Sequence, residues 1–280
     1  MLDEFRVKFI KLKEKFSKKN RGDNLREMFE FADELERTQD KRVKRVLVDV
    51  YKILNFKQSA YELFKQIADM SSKKDLKELG CLKNLAASYG DKFAYERPRS
   101  QKEWDDEKAD IPHFKYHPNP FKTRAFKRLE TALICECCNK PTKINHTLGI
   151  YAIKNVSCLC PNCIRDGSAA KKFNGTFIQD AQDVSDPQKV KELFEQTPGY
   201  ICWQGEYWLA CCNDYCEFLG DVGTAELEDL GVADEVFAEY EAREDGYKDV
   251  RQYLTAGGPL AGYLFRCLHC GRYKIHVDAE

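Results

Sequence analysis

The chain has 280 residues, 43% hydrophobic and 32% charged, with a formal net charge of −1. That balance describes a globular protein with apolar surface to bury, and it excludes a membrane span, since no apolar run approaches roughly 20 residues. The opening MLDEFRVKFIKLKEKF is charged throughout and lacks the apolar stretch of a secretory signal, so the expected compartment is the cytoplasm.

From residue 2 onward, apolar positions step by three and four. Leu2, Phe5, Phe9, Leu12 and Phe16 line one helical face, and the lysines between them face water. Further runs are Leu25 to Leu35, Val43 to Leu54, Ala60 to Ile67, and Leu76, Leu79 and Leu82. Breakers at Asn20 to Asp23, Thr38 to Asp40, Asn55 and Ser71-Ser72 separate them, with Asp23 and Ser72 as N-caps. Short connections predict antiparallel neighbours, so residues 1–95 form an all-α helical bundle or a short helical repeat. The first hundred residues are net basic and the remainder net acidic, which marks two modules.

Residues 94–120 lose the helical period, and Pro98, Pro112, Pro118 and Pro120 oppose regular helix. Residues 96–110 read as a linker, and 111–280 as a Cys-rich, zinc-stabilised α+β domain. Within it, 148–153, 199–204 and 262–266 resemble strands, and 187–196, 224–230 and 232–242 resemble helices. Trp203, Tyr207, Trp208, Phe218, Tyr263 and Phe265 are expected to pack on the core, with a base-stacking platform as the alternative. His113 and His117, among Phe114, Tyr116 and Phe121, are expected to fix the start of the domain.

The chain carries 13 cysteines. In a reducing compartment, close cysteine pairs point to metal before disulfides, and an odd count agrees. Cys135-x2-Cys138 and Cys160-x2-Cys163 are two knuckles, each able to aim two sulfurs at one point. Together they complete the tetrahedral shell that Zn²⁺ prefers. A second site is read from Cys212, Cys216, Cys267 and Cys270, in which Cys211 or His269 could replace one ligand. Cys81, Cys137, Cys158 and Cys202 read as buried apolar thiols.

Four thiolates close a zinc shell and leave no position for water, so a structural metal is expected. No His-Glu-x-x-His, His-x-Glu, Gly-x-Ser-x-Gly, Walker or dinucleotide motif is present. Asn145-His146 and Asn155 resemble the His and Asn of HNH-type nucleases. The third metal-binding His is missing there, with Ile164-Arg165-Asp166-Gly167 in its place, and His146 is expected at the surface. No catalytic residue is assigned.

Several blocks in order are similar to the CbrC family of bacterial proteins. They are Phe114 to Pro120, Cys160-Pro161-Asn162-Cys163 through Ala170, Thr197-Pro198-Gly199, Trp203-Gln204, Trp208, Cys212-x-Asp214-x-Cys216-x-Phe218, and Gly262 through Gly271. The resemblance covers roughly residues 111–280. That family is named for tolerance to an E-type, DNA-cleaving colicin. The resemblance therefore implies a toxin-tolerance or immunity role and a protein partner, with a bacterial nuclease toxin among the candidates. The acidic run from Asp221 to Asp245 would suit a basic nuclease domain. The alternative is a nucleic-acid-binding or regulatory zinc module, carried by the knuckles, the aromatics and the basic amino-terminal region. Residues 1–100 have no counterpart in short members of that family.

Overall fold

A computed structural model describes residues 2–17, 21–243 and 246–280, and divides them into two compact units, Met1–Arg99 and Ser100–Glu280. The first is all helix: α1 (Leu2–Ser17), α2 (Arg21–Glu36), α3 (Lys41–Ile53), α4 (Lys57–Ile67) and α5 (Lys73–Tyr89). The side chain of Asp23, expected as an N-cap, lies outside the described residues. Asp40 caps α3 by accepting from the Arg42 N–H, and Ser72 caps α5 by accepting from the Asp75 N–H.

Packing follows chain order. Val43, Leu47 and Val50 of α3 meet Met28, Phe31 and Leu35 of α2 and Leu12 of α1. Val48, on another face of α3, joins Ala60 and Phe64 of α4 and Leu82 of α5. The strongly amphipathic α3 is therefore shared by two layers, and the unit is a layered stack of helices. Arg45 grips the buried Asp75 through both carboxylate oxygens, which joins α3 to α5 across the second layer. Cys81 is exposed on α5, not buried as expected.

The second unit is α+β. It opens with α6 (Gln101–Lys108), inside the segment read as irregular linker. The prolines lie outside that stretch, and a capping box between Ser100 and Glu103 starts the helix. Next come the hairpin β1 (Phe126–Ile134) and β2 (Pro141–His146), the short helices α7 (Pro161–Arg165) and α8 (Ser168–Phe173), β3 (Asp180–Ala181) and α9 (Pro187–Gln196). β4 (Tyr207–Trp208) pairs in parallel with β3, and β5 (Ala210–Cys211) pairs antiparallel with β6 (Asp214–Tyr215). β7 (Glu217–Val222), α10 (Thr224–Asp229), α11 (Ala233–Glu241), α12 (Val250–Tyr253), β8 (Leu260–Arg266) and β9 (Tyr273–Ala279) complete the chain. β7, β8 and β9 form one antiparallel sheet with β8 central, and a bulge interrupts β7 between Phe218 and Gly220.

One face of this sheet meets α10 to α12 through Leu227, Val236, Phe237 and Val250. Another core holds Tyr200, Trp208, Phe218, Tyr263 and Phe265, all buried. The Tyr200 ring stacks on Phe218 at 4.4 Å. The aromatics thus pack as core, except that Trp203 is 48% exposed and Tyr207 is half-buried.

Two expected strands are not strands. Residues 148–153 make a single bridge, Tyr151 to Thr176, because Gly149 turns the chain at φ 78°. Residues 199–204 spend their N–H groups elsewhere: those of Trp203 and Gln204 donate to the Asp278 carboxylate. Gly199 there lies against the Phe177 carbonyl and Glu206, where a side chain would collide.

Candidate metal centres

One cysteine pair of each candidate centre sits in the turn of a β-hairpin. Between β1 and β2, the Cys135 N–H donates to Lys140 O at 2.9 Å and the Asn139 N–H to Cys135 O at 2.8 Å. Between β8 and β9, the Cys267 N–H donates to Arg272 O at 2.9 Å and the Gly271 N–H to Cys267 O at 3.1 Å. The two turns repeat one bonding pattern. Both need a left-handed residue after the second cysteine, supplied by Asn139 (φ 59°) and Gly271 (φ 72°). In the second turn, the N–H groups of His269 and Cys270 also donate to the Cys267 sulfur, each at 3.4 Å.

The partner pairs come from different elements. Cys160 precedes α7, Pro161 begins that helix, and Cys163 lies within it. The Cys160 N–H donates to Cys135 Sγ at 3.3 Å, and the sulfurs lie 3.9 Å apart for Cys135–Cys163 and 4.0 Å for Cys138–Cys160. At the second centre, the tight β5–β6 hairpin supplies Cys211 and Cys212. Cys212 and Asn213 both take left-handed angles (φ 54° and 53°), which closes the turn and places the adjacent sulfurs 3.8 Å apart. Cys211 Sγ lies 3.7 Å from Cys270 Sγ.

Two sets of four sulfurs result: Cys135, Cys138, Cys160 and Cys163, and Cys211, Cys212, Cys267 and Cys270, each within 4.8 Å of one another. A tetrahedral ion with metal–sulfur bonds near roughly 2.3 Å would need sulfurs about 3.8 Å apart, so both sets fit. The first set is the one read from the spacing. In the second, Cys211 stands where Cys216 was expected, while Cys212, Cys267 and Cys270 are brought together.

The hairpin decides this exchange. Cys216 lies beyond the β5–β6 turn, its N–H donates to Leu209 O, and its carbonyl accepts from the Trp208 indole at 2.8 Å. It is fully buried among aromatics, and burial pushes its thiol up to about 12. His269, the other possible substitute, turns its ring to Asp214, with Nε2 2.9 Å from the carboxylate.

Electrostatics at both centres favour a cation. Burial, first, pushes Cys160 up to about 11, and likewise raises Cys211 to about 12, with neighbouring sulfurs adding to the latter. Four crowded thiols do not all ionise without positive charge among them. Arg272 supplies some at the second centre: its Nε lies 3.4 Å from Cys270 Sγ, and this bond first, then backbone N–H, holds that thiol down to about 6. At Cys135, burial opposes ionisation, yet N–H groups of the knuckle and of Cys160 lower its pKa to about 7.

The other candidates have structural roles. His146 is buried, not exposed: its ring packs edge-on against Phe126 and Phe177, and among the described residues neither ring nitrogen has a hydrogen bond of good geometry. Asn145 clamps the extended segment before Cys160, accepting from the Leu159 N–H and donating to Ser157 O. The buried His117 fixes the first segment of the domain, with Nδ1 2.9 Å from Pro198 O and Nε2 2.6 Å from Thr123 Oγ1. Cys158 is buried, while Cys137 and Cys202 are half-buried.

One feature of the second centre arises from contacts between distant segments. Asp214 is buried and gathers Lys115 Nζ at 3.0 Å, Tyr116 Oη at 2.8 Å, and His269. Burial would raise its pKa, but the bonds from His269, Lys115 and Tyr116 prevail and hold it well below the carboxylate range. Its only trace in the sequence is an aspartate between cysteines. Among the described residues, no helix is long and apolar enough to cross a membrane.

Fold and sulfur sets together define an α+β domain with two four-cysteine groups that could hold metal, preceded by a helical unit. Residues 111–279 match the model of the Uncharacterised protein family (UPF0167), and the chain belongs to that family. It is 36% identical over 180 residues to UPF0167 protein PA1536 of Pseudomonas aeruginosa, covering 60% of this chain and 97% of that one. It is 35% identical over 176 residues to UPF0167 protein Mb2317 of Mycobacterium bovis, covering 60% of this chain and 93% of the relative. No solved structure matches.

Proposed function

We propose that the chain is a non-catalytic zinc protein of the cytoplasm that acts by binding another protein, in toxin tolerance or immunity. The carrying observation is the pair of four-sulfur shells. Soft thiolates in tetrahedral array select zinc over the hard cations, and four of them leave no open position to activate water. The metal then shapes the hairpins. The sequence resemblance to the CbrC family supports the tolerance role.

The acidic helices α10 and α11 are the favoured contact for a basic nuclease domain. Glu226, Asp229 and Glu235 are exposed on them. Arg251 and Arg243 already pair with Asp234 and Glu239, so the face keeps only part of its formal charge. Glu244 and Asp245, read with the same run, lie outside the described residues. The nucleic-acid reading loses support from the burial of Trp208, Phe218, Tyr263 and Phe265, which removes the stacking platform.

Two measurements test the proposal. Native mass spectrometry should find two zinc ions per chain. Calorimetric titration with the nuclease domain of a DNA-cleaving colicin, together with co-expression, should show binding and reduced killing. Two zinc ions with neither binding nor protection would retain the metal and sink the tolerance role.

A further inference from the structure

The two sulfur centres share a ligand set but differ in exposure. Cys135, Cys160 and Cys163 are buried and Cys138 is half-buried. At the second centre Cys212 and Cys270 are exposed, Cys211 is half-buried, and only Cys267 is buried. The exposed sulfurs stand beside possible partners. Cys270 Sγ lies 3.7 Å from Cys211 Sγ, and the Arg272 guanidinium reaches both, Nε to Cys270 at 3.4 Å and a terminal nitrogen to Cys211 at 3.8 Å. Thiolate reactivity toward oxidants follows access, and a neighbouring thiol turns a first oxidation into a disulfide. At the first centre access is limited to Cys138, the other three cysteines being buried, and its Cys135 sulfur also accepts from the Cys160 N–H.

We propose that the second centre is an oxidation site: a peroxide converts Cys270 and Cys211 to a disulfide and frees the metal, while the first centre keeps its own. This rests on the zinc reading above. The Cys270 thiolate attacks one peroxide oxygen. The O–O bond breaks, hydroxide leaves, and a sulfenic acid forms on Cys270. The Cys211 thiolate then attacks that sulfur, forms the S–S bond and displaces a second hydroxide. Two thiolates lose two electrons in all, and hydrogen peroxide is reduced to two hydroxide ions, which take protons from the solvent. Only Cys212 and Cys267 would then remain to hold a metal there. The β5–β6 hairpin and the β8–β9 turn are then joined by sulfur directly, so the region opens only when a dithiol reductant restores the thiolates.

The test uses the full-length, zinc-loaded chain, with metal content measured beforehand. Hydrogen peroxide is added with a chromogenic zinc chelator, and the products are mapped by non-reducing peptide mass spectrometry. One zinc should leave at least about tenfold faster than the other, with a Cys211–Cys270 linkage appearing alongside and vanishing with dithiothreitol. Two zinc ions that leave together, or not at all, overturn the oxidation site alone. Oxidation first at Cys135, Cys138, Cys160 or Cys163 also overturns it. A chain with fewer than two zinc ions before oxidant fails at the metal reading, and the proposal falls with it.

Discussion

The Asp214 carboxylate lies 2.9 Å from Nε2 of His269, so the β5–β6 hairpin and the β8–β9 knuckle are joined by a contact outside the sulfur shell. Asp214 also holds Lys115 and Tyr116, so the first segment of the domain anchors on the same group. Lys189 of α9 also pairs with it at 3.5 Å, so one buried carboxylate ties four chain segments around the second centre. Buried charge of this kind is costly to leave unpaired, which makes the set cooperative.

Replacing that carboxylate tests the arrangement. Asp214→Ala should cost the second unit about 3 kcal/mol, since Lys115 and Tyr116 lose their partner. It should also weaken metal at the second centre by about tenfold, because the two ligand pairs lose their tie. Denaturant unfolding and competitive chelator titration measure the two effects. Native stability in the variant would show that the buried contacts contribute nothing.

The exchange of Cys216 for Cys211 gives a second prediction. Cys211→Ser should lower the bound metal from two ions to one. Cys216→Ala should keep both and lose only packing, about 1 kcal/mol for a small buried group. Metal counting by native mass spectrometry decides, and the reverse pattern would reinstate Cys216 as ligand.

Chelation should separate the two units. The first has a layered apolar core and no metal-binding group among its described residues. Removing metal with a strong chelator should melt the second unit and leave the far-ultraviolet helical signal of the first. Loss of all helix in one transition would show that the first unit depends on the second.

His117 and His146 make stability depend on acid. Burial comes first in holding both down, His117 to about 4 and His146 to about 3, with repulsion between the two lowering His146 further. Unfolded, each titrates near 6.5. Below that value the unfolded chain binds more protons than the folded one. Stability is complete above about pH 6.5 and falls toward pH 4 and then 3, by up to about 1.4 kcal/mol per pH unit for each histidine. His146→Leu removes one such group and its two buried ring nitrogens. Its acid loss should be shallower than that of the native chain at equal metal content, and an unchanged slope would exclude His146 as the cause.

The sequence determined much of this by local rules. Helical periods stood out because α1 to α5 each put one apolar face against a neighbour, and that face repeats every three to four residues. The cluster of Cys135, Cys138, Cys160 and Cys163 was legible because a Cys-x2-Cys knuckle is a local turn, its two sulfurs set by four consecutive residues. The same holds for Cys267 and Cys270. Helix α6 was hidden by prolines that flank it without entering it.

Only the tertiary structure decided the rest. Whether Cys211 or Cys216 completes the second centre depends on where the β5–β6 turn closes, and the aromatic core around Trp208 and Phe265 has already claimed Cys216. His146 looks like a surface histidine in the sequence, yet Phe126 and Phe177 enclose it from distant segments. Asp214 acquires its meaning from Lys115, nearly a hundred residues earlier. Spacing along the chain fixes what a turn can present; long-range packing fixes which of those groups stays free to bind.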